Sequence, residues 1–295
     1  MSTGKSTAAA DGIAPVAHVR VVDDSRSHDL RGIKVVWQRE LIRFGQDRMR
    51  IVTSLVQPVL YLFVLGTGLS TLTKGSVEDL SYRKIIFPGV LAMSTMFTAM
   101  FSSISIVWDR EFGFLREMLV APVRRGALVT GKALGGATTA TIQGCIILAM
   151  AGAVGIPYNP LLIVVLLGEM LLLSFTMTAV GMVMAVRVKQ IQSVMGLMQM
   201  ITMPLLFLSG ALFPLGGLPT WLRVVTRLNP LTYVVNPMRH IVFDHLTMSD
   251  ALRNKITPPI TWWGWHVPVG LQVLVVAVMG LAALAIATQQ FNKAE

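Results

Sequence analysis

The stretch WDREFGFLREMLVAPVRRGALVTGKALGG, residues 108–136, is the most charged interior run of a chain that is otherwise mostly apolar. A long apolar segment lies on each side of it, and neither is short enough to be a core strand. A polar helix hung between two membrane spans normally exists to meet something soluble. Wound as a helix over 110–121, the run places Phe112, Leu115 and Leu119 on one face at i, i+3 and i+7. Arg110, Glu117 and one large apolar residue, Phe114, point the other way. Pro122 then stops the helix, and Arg124 and Arg125 follow at the expected lipid boundary. Two readings stand: an amphipathic loop helix lying in the headgroups, or a docking element with Phe114 as the knob that a partner protein receives.

Composition fixes the class. The 295 residues are 54% hydrophobic and 14% charged, with a mean hydropathy of +0.65; a soluble domain carries about 25% charged residues. The apolar residues come in blocks, and the single Cys145 sits inside one, so neither a disulfide framework nor a thiol metal cluster is expected. The net charge of +10 fits loops facing an anionic leaflet better than nucleic acid, because the basic residues flank apolar spans. Residues 1–29 hold no apolar signal segment and read as a disordered cytoplasmic tail. Residues 30–295 read as a single transmembrane domain.

Within that domain, residues 30–50 form a basic amphipathic helix, with Ile33, Val36, Trp37, Leu41 and Phe44 on one face and Lys34, Arg39 and Arg43 on the rest. Such a helix lies in the membrane interface. Six spans are expected at 51–72, 85–107, 127–154, 161–186, 191–213 and 267–288. Each reaches the roughly 20 residues needed to cross a bilayer, and the absence of polar/apolar alternation excludes a β-barrel. With the N-terminus inside, seventeen of the 25 Lys and Arg residues fall on the inner side, which puts both termini in the cytoplasm.

The connection 214–266 is too patterned for a plain loop. Trp221, Leu222, Val225 and Leu228 stripe one short helix, and Arg223 and Arg227 take another face. Asn229-Pro230 reads as N-cap and N1 of a second, which Pro237 interrupts. Trp262, Trp263 and Trp265 suggest an outer aromatic belt.

Recognisable reaction chemistry is nearly absent. Gly126 to Gly131-Lys132-Ala133 almost spells a phosphate-binding loop, but Ala133 replaces the hydroxyl that Mg²⁺ requires. His240 and His245 are spaced for different helix faces, so no metal site is expected. One ionisable residue lies deep in a span: Glu169, about 12 Å into the fourth. With no Lys or Arg inside any span, it needs water or polar neighbours, and Gln143, Gln192 and Gln199 are the available ones. It is either a pathway residue or interhelical glue. Met195, Met198, Met200 and Met203 crowd span five, as packing or as an adaptable apolar substrate surface.

Two motifs resemble those of the ABC-2 type exporter permeases of the daunorubicin-resistance and nodulation-factor export kind. One is Arg110-Glu111 through Leu119, Ala121-Pro122-Val123-Arg124 and Gly131-Lys132. The other, more specific, is Leu208-Ser209-Gly210, Phe213-Pro214-Leu215, Leu218-Pro219, then Asn229-Pro230-Leu231-Thr232-Tyr233 and Arg239. The resemblance covers roughly residues 30–290. It implies an all-α integral membrane fold: an interfacial helix, six spans, a cytoplasmic coupling helix between spans two and three, and re-entrant outer helices between spans five and six. It also implies two copies forming a pathway and a separate cytoplasmic ABC ATPase subunit. Phe112 and Phe114 flank Gly113 where relatives often carry polar residues, which bears on which ATPase is accepted.

The expected function is therefore an exporter permease of the plasma (inner) membrane, moving drugs, lipids, polyketides or glycolipids outward as a homodimer or with a related permease. This chain would hold no cofactor and catalyse nothing, with ATP and Mg on the partner. ATPase coupling is expected at Arg110, Glu111, Phe112, Phe114, Leu115, Arg116, Glu117 and Pro122, and the substrate path at Glu169, Gln199 and Met203. The outer motif comprises Gly210, Phe213, Pro214, Asn229, Pro230, Tyr233 and Arg239. The alternative is an ion-coupled secondary transporter using Glu169, although such a protein would want several intramembrane ionisable groups. A lipid-modifying membrane enzyme lacks its acid or metal cluster, and a scaffold leaves the outer motif unexplained.

Overall fold

A computed structural model describes residues 25–73, 82–113, 123–212, 219–246, 256–257, 259–262 and 265–294. The first helix, α1 (Ser25–Gln46), begins inside the segment assigned to the tail. Asp47 then caps α2 (Arg48–Leu60), its carboxylate accepting the Arg50 amide proton at 3.0 Å. Pro58 lacks the N–H that would continue the helical ladder. The rod nevertheless runs on through a π turn at Tyr61–Leu65 into α3 (Gly66–Thr73).

Helix α4 (Tyr82–Ser102) is the axis of the bundle, with every residue from Ile85 to Met96 buried. At its end the Ser102 and Ser103 hydroxyls donate back to the Ala99 and Met100 carbonyls, at 2.7 and 2.6 Å. Such back-bonding bends a helix, and α5 (Ser105–Glu111) follows the break. Phe112 caps α5 and Gly113 turns out at φ 81°. The expected start of a helix at 110 is corrected here, because Arg110 and Glu111 form the last turn of the second span; 114–121 lie outside the described residues. Glycine's freedom at positive φ allows the chain to turn at that point.

The rest comprises α6 (Arg125–Ala149), α7 (Ala151–Val154), α8 (Pro160–Ala185), α9 (Ile191–Leu208), α10 (Thr220–Leu228), α11 (Thr232–Asp244) and α12 (Val269–Ala294). One feature was not expected, a two-residue antiparallel pair of β1 (Thr261–Trp262) with β2 (Trp265–His266). Pro237 does not interrupt α11, which passes through it; a single proline removes only one ladder bond. Helix α11 begins at Thr232, two residues after the expected Asn229-Pro230 start, although Asn229 still accepts the Leu231 amide proton at 3.0 Å.

Among the described residues, five segments are long and apolar enough to cross a membrane: Arg48–Ser70, Tyr82–Glu111, Pro160–Ala185, Ile191–Leu208 and Val269–Lys293. The expected third span is a 25-residue helix, α6, but its run of Gly, Ala and Thr around Lys132 is too polar to qualify. Helices in lipid gain little from the hydrophobic effect and associate through close packing and hydroxyl bonds. A Cβ on Gly89 would fall on the Ala211 carbonyl oxygen. Thr178 donates to the Ala99 carbonyl at 3.2 Å, and Thr176 to that of Val276 at 3.2 Å, joining α8 to α4 and α12.

The predicted apolar face of α1 is indeed its covered one: Val36 is buried and Trp37 half-buried. What covers it is α6. The Trp37 indole donates to Thr138 at 3.0 Å, and any Cβ on Gly131 or Gly135 would collide with Val36 or Glu40.

Candidate functional site

Charged side chains of α1, α5 and α6 converge at the end of the bundle that carries α1. The Asp109 carboxylate, 3% exposed, receives Arg39 and Lys132, each at 2.5 Å, with Arg43 at 4.0 Å. The Lys132 ammonium, 5% exposed, also reaches Glu40 at 3.0 Å and the Ser105 hydroxyl at 3.1 Å. Lys132 is thus inside the bundle rather than in a loop, which corrects the expectation that no Lys lies within a span. The near-miss phosphate loop is explained as well: its last glycine admits α1 and its lysine answers two carboxylates.

Above this floor opens a cleft of about 590 Å³ between α1–α2, α4–α5 and Met195 of α9, a size within the usual range for small-molecule sites. Arg43, Asp47 and Arg50 stand at its rim. Exposed Thr53 and Gln57 and half-buried Ser54 also line it, and the buried hydroxyls of Ser94, Thr98 and Thr139 lie within. Phe97 and Phe101 supply an apolar wall, their rings stacked at 6.4 Å. The Arg43 guanidinium lies 5.0 Å from the Trp108 ring centroid, and Trp108 leans on Phe112 at 5.5 Å. A charged rim above a mixed hydroxyl and phenyl interior suits an amphiphile.

The expected pathway residues are not brought together. Gln199 and Met203 follow Met195 at i+4 and i+8, so they continue the cleft-lining face of α9. Glu169 does not line the cleft. It is 7% exposed on α8, and its Oε2 has no hydrogen-bond partner among the described residues. Gln143 instead donates to the Ile51 carbonyl at 3.3 Å, and Gln192 and Gln199 are exposed.

Arg110 is half-buried and Glu111 exposed, and both reach the turn between α8 and α9. Arg110 donates to the carbonyls of Val186 and Val188, at 2.9 and 3.4 Å, just past the C-terminus of α8. The Glu111 carboxylate accepts the Ile191 amide proton at 3.4 Å, at the N-terminus of α9. A cation at a helix C-terminus and an anion at an N-terminus both suit the helix dipole. The pair therefore clips the α8–α9 turn to the end of α5. Phe112 is 60% exposed. Phe114, Leu115, Arg116, Glu117 and Pro122 lie outside the described residues.

At the opposite end, the outer motif satisfies the carbonyls that end α9, groups that no helix can bond internally. Asn229 donates to the Leu205 carbonyl at 2.6 Å, and Arg239 to that of Ala211 at 3.3 Å. Gly210 takes φ 78° directly after the Ser209 cap. Pro230 is buried in the turn before α11. Tyr233 donates to the Arg227 carbonyl at 2.7 Å and accepts from the Trp262 indole at 2.9 Å. Trp262, half-buried, thus closes over the motif. Arg239 is 4% exposed, and burial lowers its pKa to about 10, which leaves it charged at neutral pH. Phe213 and Pro214 lie outside the described residues.

Sequence reasoning missed the floor. Asp109 ends an apolar span and Lys132 stands among small residues, a signal visible only once the two are known to meet.

A family model described as ABC-2 type transporter matches residues 31–243. Nodulation protein J of Rhizobium leguminosarum bv. trifolii is 30% identical over 214 residues, covering 71% of this chain and 80% of that protein. The ycf38 transport permease of Cyanophora paradoxa is 28% identical over 211 residues, covering 70% and 72%. A protein of Escherichia coli (strain K12) named as a probable multidrug ABC transporter permease, YbhR, is 28% identical over 190 residues, 61% of this chain and 49% of its own length. With this family match and its membrane-spanning helices, the chain is a multi-pass membrane protein belonging to the ABC-2 type transporter family, whose members are transport permeases rather than enzymes.

Proposed function

We propose that the chain is the membrane-spanning subunit of an ATP-driven exporter for hydrophobic or amphiphilic compounds, acting in the plasma (inner) membrane. A separate cytoplasmic ABC ATPase binds ATP and Mg, and a second permease copy completes the pathway. In this reading α6 is counted as the third span, bringing the total to six, both termini are cytoplasmic, and α10 and α11 are re-entrant from outside. Multidrug and nodulation-related names among the relatives support a greasy cargo.

The observation that carries the reading is the Arg110–Glu111 clip. The segment 112–122 bears the coupling motif, and its root is fastened to the turn from which α9 rises. Helix α9 contributes Met195 to the cleft. A push on that segment by an ATPase then reaches the cleft wall through three bonds.

The test is co-purification with the ATPase encoded alongside. Phe114→Ala should lose the ATPase at least tenfold, as removal of a central aromatic anchor does, while the permease still inserts. Phe112→Ala should instead lower the amount of folded protein. Equal ATPase retention by wild type and Phe114→Ala overturns the docking assignment. In a Cys145→Ser background, Ser249→Cys should react with an impermeant thiol reagent in intact cells and Ser27→Cys should not; equal labelling overturns the orientation.

A further inference from the structure

We infer that the cleft takes amphiphiles with an anionic headgroup, a phosphate or carboxylate, held at the rim by Arg50 and Arg43 with the apolar body along Phe97 and Phe101. The inference rests on the permease reading above and adds the charge of the cargo.

In the cleft and the cluster beneath it four cations, Arg39, Arg43, Arg50 and Lys132, stand against three carboxylates, Glu40, Asp47 and Asp109. The carboxylates are all engaged. Asp109 and Glu40 answer Lys132, with Arg39 also on Asp109. Asp47 accepts the Arg50 amide proton as the cap of α2. The Arg50 guanidinium feels the charges of Asp47 and Glu40 but no hydrogen bond or close ion pair fixes it among the described residues, and it lines the cleft. Arg43 is held loosely, 4.0 Å from Asp109 and over Trp108. The surplus charge at the rim is therefore positive and available, and guanidinium forks match phosphate and carboxylate geometry.

A second observation points inward. Ser94 lines the cleft at 2% exposure, and its hydroxyl is buried without a hydrogen-bond partner among the described residues. Buried hydroxyls ordinarily find partners, so this one awaits a polar group on whatever fills the cleft. Ser94 lies two turns of α4 from Ser102, about 12 Å farther from the charged cluster at 1.5 Å per residue. A ligand that spans both points is elongated, charged at one end and mostly apolar along its length, with a polar atom partway.

The experiment measures binding of a matched series to the purified chain, in complex with its ATPase, in lipid nanodiscs. The probes are decyl phosphate, decyltrimethylammonium, decyl maltoside and inorganic phosphate. Decyl phosphate should bind at least tenfold tighter than decyltrimethylammonium. Arg50→Gln should erase most of that preference while leaving decyl maltoside unchanged, and Arg50→Lys, which keeps the charge but not the fork, should retain part of it. Ser94→Leu should weaken all three decyl compounds together, by closing the inner part. Inorganic phosphate binding as tightly as decyl phosphate would make this a free-anion site and overturn the amphiphile. Equal affinity for both charged heads, with Ser94→Leu still weakening both, overturns the anionic preference alone. No dependence on either residue, with the ATPase still bound, overturns the cleft assignment and leaves the permease reading standing. A cleft already filled by a second copy, seen as complete cross-linking of Gln57→Cys to its counterpart with or without decyl phosphate, overturns it as well.

Discussion

Lys132 of α6 and Asp109 of α5 form an ion pair, 2.5 Å between Nζ and Oδ2, with only 4% of either side chain exposed. Glu40 and Arg39 of α1 close the group, so one cluster ties the amphipathic helix to two helices of the bundle. A buried pair is costly to form and costlier to break, because removing one partner strands the other charge.

Lys132→Met and Asp109→Asn should each destabilise the purified protein by about 3–5 kcal/mol. The double variant Lys132→Met/Asp109→Leu should cost clearly less than the sum, since it leaves no stranded partner. Thermal unfolding of the three variants in one detergent checks this. Additive losses would mean that the two residues act separately.

The outer lock predicts a different pattern. Asn229→Ala leaves the Leu205 carbonyl without its donor, and Tyr233→Phe removes bonds to Arg227 and Trp262. Each should cost about 1–3 kcal/mol and lower the yield of folded protein, with ATPase binding per folded molecule unchanged. A normal yield for both variants would contradict a structural role for the motif.

The sequence revealed more of the architecture than of the sites. Apolar blocks placed most of the spans, since about 20 greasy residues admit few alternatives. The outer motif was legible as a pattern because proline, asparagine and glycine have strict backbone demands. Its bonds to Leu205 and Ala211 were not legible, because they join segments that only the fold brings together. The buried floor was hidden for the same reason, and charge misled: Arg110 and Lys132 look solvated in sequence yet are paired inside. The apolar face of α1 was legible but the helix it packs on was not, because lipid and a glycine-lined helix ask for the same apolar stripe. Glu169 was singled out by depth alone, and depth does not say which cavity a side chain meets.

Arg110→Ala and Glu111→Gln should leave the ATPase bound while lowering transport about tenfold, the scale of a coupling of 1–3 kcal/mol. Binding and efflux measured on the same preparations separate the two effects. Loss of ATPase binding would instead place these residues in the docking surface.

Glu169→Gln should leave export and its pH profile within about twofold of wild type, because the residue does not line the cleft. Glu169→Leu should chiefly alter assembly of the helices, read as the fraction that elutes as a single species. A displaced pH profile in the Gln variant would bring the carboxyl into the path.

The central claim, that ATP hydrolysed on a partner drives this chain, is tested most directly in sealed vesicles carrying the permease with its ATPase and a fluorescent anionic amphiphile. The account predicts transport that requires ATP and Mg²⁺ at the ATPase face, stops with an ATPase variant unable to hydrolyse, and persists when an ionophore removes the proton gradient. Transport by the permease alone, driven by that gradient and abolished by the ionophore, would contradict it.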